Sequence, residues 1–169
     1  MSRKYRFCPR CGKELVKGER GGTQRKLCPD EACGFVHWNN PLPVVAALVE
    51  HEGEIILARQ AHWPDTWYGI ITGFLEKDET PEEGVLRELK EELDLDGTIE
   101  SLIGVHAFPM RNEVIISYHV KATGTITLSD ELEAIKRVQP HKLRGWDFGT
   151  GLAVKEWVDA QNFEDTFST

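Results

Sequence analysis

The chain has 169 residues, 40% of them apolar and 28% charged, with 28 Asp and Glu against 20 Lys and Arg for a formal net charge of -8. That size and apolar content support one ordinary domain, alone or with a small appendage, and exclude wholesale disorder. The acidic balance argues against coating nucleic acid or anionic membrane by bulk charge, and no apolar run reaches the roughly 20 residues that span a bilayer.

The first segment, MSRKYRFCPRCGK, is basic and has no apolar stretch, so it does not read as a secretory signal, and the cytosol is the expected compartment. Residues 1–40 hold nine Lys and Arg against four Asp and Glu. They also hold all four cysteines, as Cys8-x2-Cys11, 16 residues, then Cys28-x4-Cys33, with Gly12 and Gly34 following each pair. Two such knuckles read as a zinc ribbon with four thiolate ligands to a structural Zn2+. Two disulfides are the alternative, which a reducing compartment disfavours, and His37 is a conceivable substitute ligand. A closed site of this kind folds a segment too small to have its own core. Arg3, Lys4, Arg6, Arg10, Lys13, Lys17, Arg20, Arg25 and Lys26 lie among Tyr5, Phe7, Phe35 and Trp38, a mixture that also suits single-stranded nucleic acid. Bound thiolates cancel part of that charge, so a structural role is favoured and nucleic acid is not the expected partner.

Asn39 to Pro43 reads as a linker, which divides the chain into 1–40 and 41–169. Val44 to Val49 is an apolar run that reads as a buried strand, and Glu52-Gly53 turns it into a second strand over Glu54 to Arg59. Ala61 to Tyr68 is a loop rich in aromatic residues, and Gly69 to Phe74 reads as a short strand. Thr80-Pro81-Glu82-Glu83 is a capping box with Pro at the first helical position. The spacing predicts a helix to Leu93, with Gly97 just past its end. At roughly 100° per residue, Leu86, Leu89 and Leu93 share one face, and Glu88, Glu91 and Glu92 the opposite one. Glu88 has Glu92 rather than a cation at i+4, so the cluster repels itself unless a hard cation such as Mg2+ or Mn2+ intervenes. Gly84 lies one turn before Glu88 and leaves room on that face. Residues 76–100 hold eleven Asp and Glu against three Lys and Arg, a local net charge of -8. Further strands are expected at 100–106, 114–123 and 134–139, and a last helix at 151–160. His106, His119 and His141 lack ligand spacing and read as structural.

From Gly73 the chain runs Gly73, five residues, Glu79, seven residues, Arg87-Glu88-Leu89-Lys90-Glu91-Glu92-Leu93-Asp94-Leu95. This closely resembles the box of the Nudix hydrolases, Gly-x5-Glu-x7-Arg-Glu-U-x-Glu-Glu-x-Gly-U with U aliphatic. The 23-residue pattern departs at its final glycine, where this chain has Asp94. Flanking segments resemble the family domain over about residues 41–163, and a zinc ribbon ahead of the box resembles the NADH pyrophosphatase branch.

The resemblance implies an α+β fold, an α/β/α sandwich around a mixed sheet, with the ribbon preceding it. It implies metal-dependent hydrolysis of a nucleoside diphosphate linked to another moiety, releasing a nucleoside monophosphate. Carried over, Glu88, Glu91, Glu92 and the Gly73 carbonyl would hold Mg2+ or Mn2+, and Arg87 with Glu79 would form a supporting salt bridge. Members of the family take their general base from a loop past the box or from a box glutamate. The loop candidates are Glu131 and Glu133, with Glu113 weaker. The NADH pyrophosphatase signature survives only as Phe108-Pro109, so ADP-ribose and FAD fit as well as NADH. Trp63, Tyr68 and Phe108 are candidates to stack on a base. Homodimers are common in the family, which makes a second copy the expected protein partner. The rival reading is a catalytically idle Nudix fold that senses a ligand or binds nucleic acid through the ribbon.

Overall fold

The computed structural model describes residues 5–161; Arg3 and Lys4 of the basic block and residues 162–169 of the larger expected domain lie outside them. Internal contacts divide the chain into two compact units, one ending at Pro41 and one starting at Leu42.

The first unit is a three-stranded antiparallel sheet of β1 (Val16–Arg20), β2 (Thr23–Leu27) and β3 (Val36–His37). Gly21 and Gly22 join β1 to β2 with φ of 61° and 72°, the two consecutive left-handed residues a tight hairpin turn needs. Among the described residues of this unit, Cys8 is the one apolar residue that is fully buried. A unit with so little core needs another source of stability.

The second unit is built on a mixed sheet. Its elements are β4 (Leu42–His51), β5 (Glu54–Gln60), β6 (Ile71–Phe74), α1 (Pro81–Leu93), β7 (Asp96–Phe108), β8 (Glu113–Thr123), β9 (Leu132–Val138) and α2 (Gly151–Ala160). The strand order is β7-β8-β4-β5-β9. β4 pairs with β8 in parallel along one edge. Its other edge is shared: residues 44–47 pair with β6 and residues 49–51 with β5, both antiparallel.

The Val44–Val49 run lacks alternation because both its faces are buried. Val45, Ala47 and Val49 pack with Val85, Leu89 and Leu93 of α1. Val44, Ala46 and Leu48 pack with Val154 and Trp157 of α2. The sheet is thus covered by one helix on each face, the α/β/α sandwich the motif implied. No helix among the described residues is long and apolar enough to cross a membrane.

The helix starts as the sequence predicts, with Thr80 Oγ1 accepting from the Glu83 amide at 3.2 Å and Glu83 Oε2 accepting from the Thr80 amide at 2.8 Å. It also ends at Leu93 as expected, but the cap is different. Asp94, not a glycine, takes the left-handed cap at φ 56°, and its amide donates to the Lys90 carbonyl. Gly97 is already in β7, paired with Ala122. A Cβ there would lie 2.5 Å from Leu89 Cδ2 and 2.8 Å from Val120 Cγ1. Its role is therefore close helix-on-sheet packing rather than stopping the helix. β7 also begins at Asp96, earlier than expected, because its ladder with β8 runs out to Thr123.

Candidate active site

β6 delivers Gly73 beneath α1. A Cβ on Gly73 would sit 1.8 Å from the Glu88 carboxylate, so only glycine lets that side chain lie across the strand. Gly84 does the same for Glu79: a Cβ would meet Glu79 Oε1 at 2.9 Å and Leu75 Cδ1 at 3.1 Å. The room foreseen at Gly84 is filled by this chain's own side chains.

Arg87 ties these pieces together. Its Nε and Nη2 donate to the two oxygens of Glu79 at 3.1 and 2.8 Å. Nη1 donates to Glu88 Oε1 at 2.8 Å and Glu91 Oε2 at 2.9 Å, and Nη2 also donates to the Phe74 carbonyl at 3.1 Å. Every guanidinium donor is used, which fixes the fork rigidly. Glu79 also accepts from the Glu76 amide at 2.6 Å. Arg87 first, then that amide, hold the Glu79 carboxyl below the usual carboxylate range. The same carboxylates push the Arg87 guanidinium upward, Glu79 most.

Glu88 and Glu92 respond in the opposite direction. Burial raises Glu88 above the ordinary glutamate value despite its contact with Arg87. Glu92, 6% exposed, is pushed up to about 8 by burial and then by the charges of Glu88, Glu131 and Glu91. The segment after β8 brings Glu131 into this field. The Thr127 amide donates to the Leu93 carbonyl at 2.9 Å and the Ser129 amide to the Glu92 carbonyl at 3.0 Å. Those bonds satisfy carbonyls that the helix end leaves open. Glu133 points elsewhere and pairs with Arg59 Nη1 at 3.1 Å. Of the two loop candidates, Glu131 alone is electrostatically coupled to the box glutamates.

A cavity of about 400 Å³ is lined by Trp63, Tyr68 and Phe108, the aromatic residues singled out above, together with Trp67, Trp146 and Phe148. Thr72 lines it too, one residue before Gly73, and Arg111 and Glu113 supply its charges. Glu113 therefore belongs to the cavity wall. Glycines again set the geometry. A Cβ at Gly69 would meet the Trp63 ring at 3.2 Å, and one at Gly151 would meet the Trp146 ring at 2.4 Å.

In the first unit the four cysteine sulfurs lie within 4.8 Å of one another, with Cys8 to Cys33 at 3.6 Å and Cys11 to Cys28 at 3.4 Å. All four are free thiols. Gly12 and Gly34 turn the knuckles with φ of 73° and 61°. Asp30 organises the wider second knuckle: its Oδ1 accepts from the Ala32 amide, and its carbonyl from the amides of Cys33 and Gly34. Lys13 holds the same carboxylate at 2.7 Å. His37 stays out of the cluster and packs against Tyr5, with ring centroids 4.8 Å apart and the rings tilted by 49°. Among the described residues, three or more metal-ligating side chains converge in this way only at the cysteines. The box carboxylates stand wider, with Glu88 and Glu91 leaning on Arg87.

The family pattern described as "NUDIX domain" matches residues 40–159. The chain belongs to the Nudix family. Among curated Nudix relatives, an NAD-capped RNA hydrolase NudC from Stutzerimonas stutzeri is 29% identical over 120 residues, 71% of this chain and 42% of that protein. Another of that name from Pseudomonas putida is 27% identical over 156 residues, 90% of this chain and 54% of that protein. The chain spans about half the length of the curated relatives it matches. A NUDIX hydrolase structure from Nitrosomonas europaea superposes with a TM-score of 0.78 at 24% identity, covering 93% of this chain and 92% of that one. An ADP-ribose pyrophosphatase structure from Streptococcus suis gives 0.59 at 17% identity, over 74% and 95%. At these identities the structures establish the fold.

The Nudix box also accounts for the residue that departs from it. The final box glycine falls on the left-handed cap that Asp94 occupies, a conformation that Asp tolerates better than most side chains. Sequence reasoning missed Trp67, Trp146, Phe148 and Arg111 in the cavity wall of this Nudix unit. The available signal was Gly145-Trp146-Asp147-Phe148-Gly149, aromatic residues set between glycines just before a helix. It also missed the Tyr118 hydroxyl, which donates to Glu82 at 2.8 Å and ties the first turn of α1 to the sheet.

Proposed function

We propose that this chain is a metal-dependent Nudix pyrophosphohydrolase acting on a nucleoside diphosphate linked to a second moiety, of the NADH, ADP-ribose or FAD kind, with a nucleoside monophosphate as product. The observation that carries the reading is the box itself: Glu88, Glu91 and Glu92 face one another without enough cation, and burial raises Glu88 and Glu92. An oxygen-rich set in that condition suits Mg2+ or Mn2+, and Glu88, Glu91, Glu92 and the Gly73 carbonyl would hold it. When bound, the metal would neutralise pyrophosphate charge and lower the pKa of a bound water. Arg87 and Glu79 keep the ligands in place. Glu131, exposed at the edge of the same field, is the candidate to accept the water proton.

The aromatic cavity supplies flat faces for a base or nicotinamide, with Trp63, Tyr68 and Phe108 in its wall. The NAD-capped RNA hydrolases among the relatives and the ADP-ribose pyrophosphatase fold neighbour support this substrate class. The ribbon, residues 1–40, would hold a structural Zn2+ on its four thiols, an arrangement suited to a reducing cytoplasm, and residues 41–169 would form the catalytic domain.

The test is product analysis with NADH, NAD, ADP-ribose and FAD, with Mg2+, with Mn2+ and without metal. Metal-dependent release of AMP from at least one of them supports the reading. Absence of AMP from all of them under both metals contradicts it.

A further inference from the structure

Glu113 places a carboxylate in the wall of the aromatic cavity with nothing on the chain to answer it. It stands at the start of β8, opposite Phe108 of β7 and Leu42 of β4. Ile115, two residues on and so on the same strand face, is buried and lines the cavity as well. Glu113 itself is half-buried. Among the described residues, no side-chain hydrogen bond or ion pair reaches its carboxylate. A carboxylate drawn out of water beside apolar walls is costly without a partner, so an aliphatic residue would serve the fold better there.

The rest of the wall favours the same sign of ligand. Six rings line the cavity, those of Trp63, Trp67, Tyr68, Phe108, Trp146 and Phe148. Aromatic faces carry the negative side of the ring quadrupole and attract cations, most strongly out of water. The chain's own Arg111 already uses this wall, its guanidinium 6.0 Å from the Phe108 centroid. Arg111 is exposed, so solvent screens its charge more than that of Glu113. A flat cation therefore suits this set of groups better than a neutral ring. Among the moieties of the proposed substrates, the oxidised nicotinamide ring is a pyridinium cation, whereas the reduced ring and adenine are neutral.

We infer that the aromatic cavity selects a pyridinium ring and that Glu113 reads its charge, so that the oxidised dinucleotide is taken in preference to the reduced one. The inference rests on the hydrolytic reading for its substrate class. It gives Glu113 a place in specificity rather than in proton transfer. Arg111 acts in the opposite sense, since a cation on Phe108 competes with a cationic ring.

The experiment has two parts, both on the full chain. In the first, the indole N–H signals of Trp63, Trp67 and Trp146 are followed by NMR during titration with two probes. One is nicotinamide methylated on its ring nitrogen, a fixed pyridinium cation, and the other is neutral nicotinamide. Neither probe needs metal or contains a pyrophosphate bond. The cation should bind ~5-fold tighter or more, Glu113→Gln should bring the two within ~2-fold, and Arg111→Gln should widen the gap. In the second part, kcat and KM are measured on NAD and NADH with Mg2+. Glu113→Gln should lower the NAD-to-NADH ratio of kcat/KM by ~5-fold or more, with the change carried by KM. Arg111→Gln should raise the same ratio, an opposite movement that a merely structural role would not produce. Gln keeps the length and shape of Glu, and a parent-like melting temperature checks the fold of each variant. Should Glu113→Gln melt early, the exposed Arg111→Gln carries the test. Equal affinity of the parent for the two probes, a NAD-to-NADH ratio unmoved by Glu113→Gln, or a ratio unmoved by Arg111→Gln would overturn the inference. A parent that hydrolyses ADP-ribose or FAD but neither nicotinamide dinucleotide would overturn it too, and leave the hydrolytic reading standing. A parent that hydrolyses none of them contradicts that reading, and the probe titration then decides the charge preference of the cavity by itself.

Discussion

At the residue scale the site is held by one cation among many carboxylates. Arg87 spends its donors on Glu79, Glu88, Glu91 and the Phe74 carbonyl, leaving none for Glu92. That imbalance has a thermodynamic consequence. Burial and neighbouring charges raise Glu92 to about 8, so between the ordinary glutamate value and that pH the folded state holds a proton the unfolded chain has released. Stability without metal therefore falls as pH rises through this window. Glu92→Gln should remove much of the dependence and raise metal-free stability at pH 8 by about 2 kcal/mol, read from urea midpoints at pH 5 and 8. Saturating Mg2+ should stabilise the parent more than the variant. Asp94 is a separate case. It holds φ 56° with only exposed contacts to Lys90 in return. Asp94→Gly should raise stability by about 1 kcal/mol, measured as a urea midpoint shift at constant m-value.

At the element scale, legibility followed the strength of local signals. Helix α1 was readable to the residue at its start because Thr80, Pro81 and Glu83 are chemically specific, and β4 because a six-residue apolar run needs burial on both faces. The last helix was equally clear, at Gly151–Ala160. The end at Leu93 was readable too, but the part played by Gly97 was not, because it packs against Leu89 and Val120, a tertiary cause with no local mark. The ligand box was readable as a pattern of spacings. The separation of Glu131 from Glu133 was not, since it depends on where Arg59 lies and on the bonds from residues 127 and 129 to the end of α1. In the ribbon, Gly21-Gly22 marks the hairpin, but three short strands bury almost nothing. Removing the proposed zinc with a chelator should therefore unfold residues 5–41 while the second unit keeps its structure. Hydrogen exchange should show protection lost in β1, β2 and β3 and retained in β4 and β8.

At the scale of the whole molecule, the net charge of -8 describes the box rather than the surface at large. Residues 76–100 account for all of it, and the ribbon is strongly basic. Under the proposed function the box would meet an anionic diphosphate through cations. Within the second unit, α1 and its carboxylates lie on one face of the sheet, while the aromatic cavity shares Ile70 and Ile115 with the core under α2. Adjacent residues of β6 join them: Thr72 lines the cavity and Gly73 supports Glu88. Composition foretold none of this, because it arises from how one short strand shares an edge of β4 with β5.

The central claim is that the box glutamates are metal-binding catalytic machinery rather than an acidic surface. The most direct test is kcat of Glu92→Gln with Mg2+ on whichever dinucleotide the parent hydrolyses, alongside its melting temperature. The account predicts a fall in kcat of about 1000-fold or more, in a variant at least as stable as the parent without metal. A stable variant with near-parental kcat would contradict it.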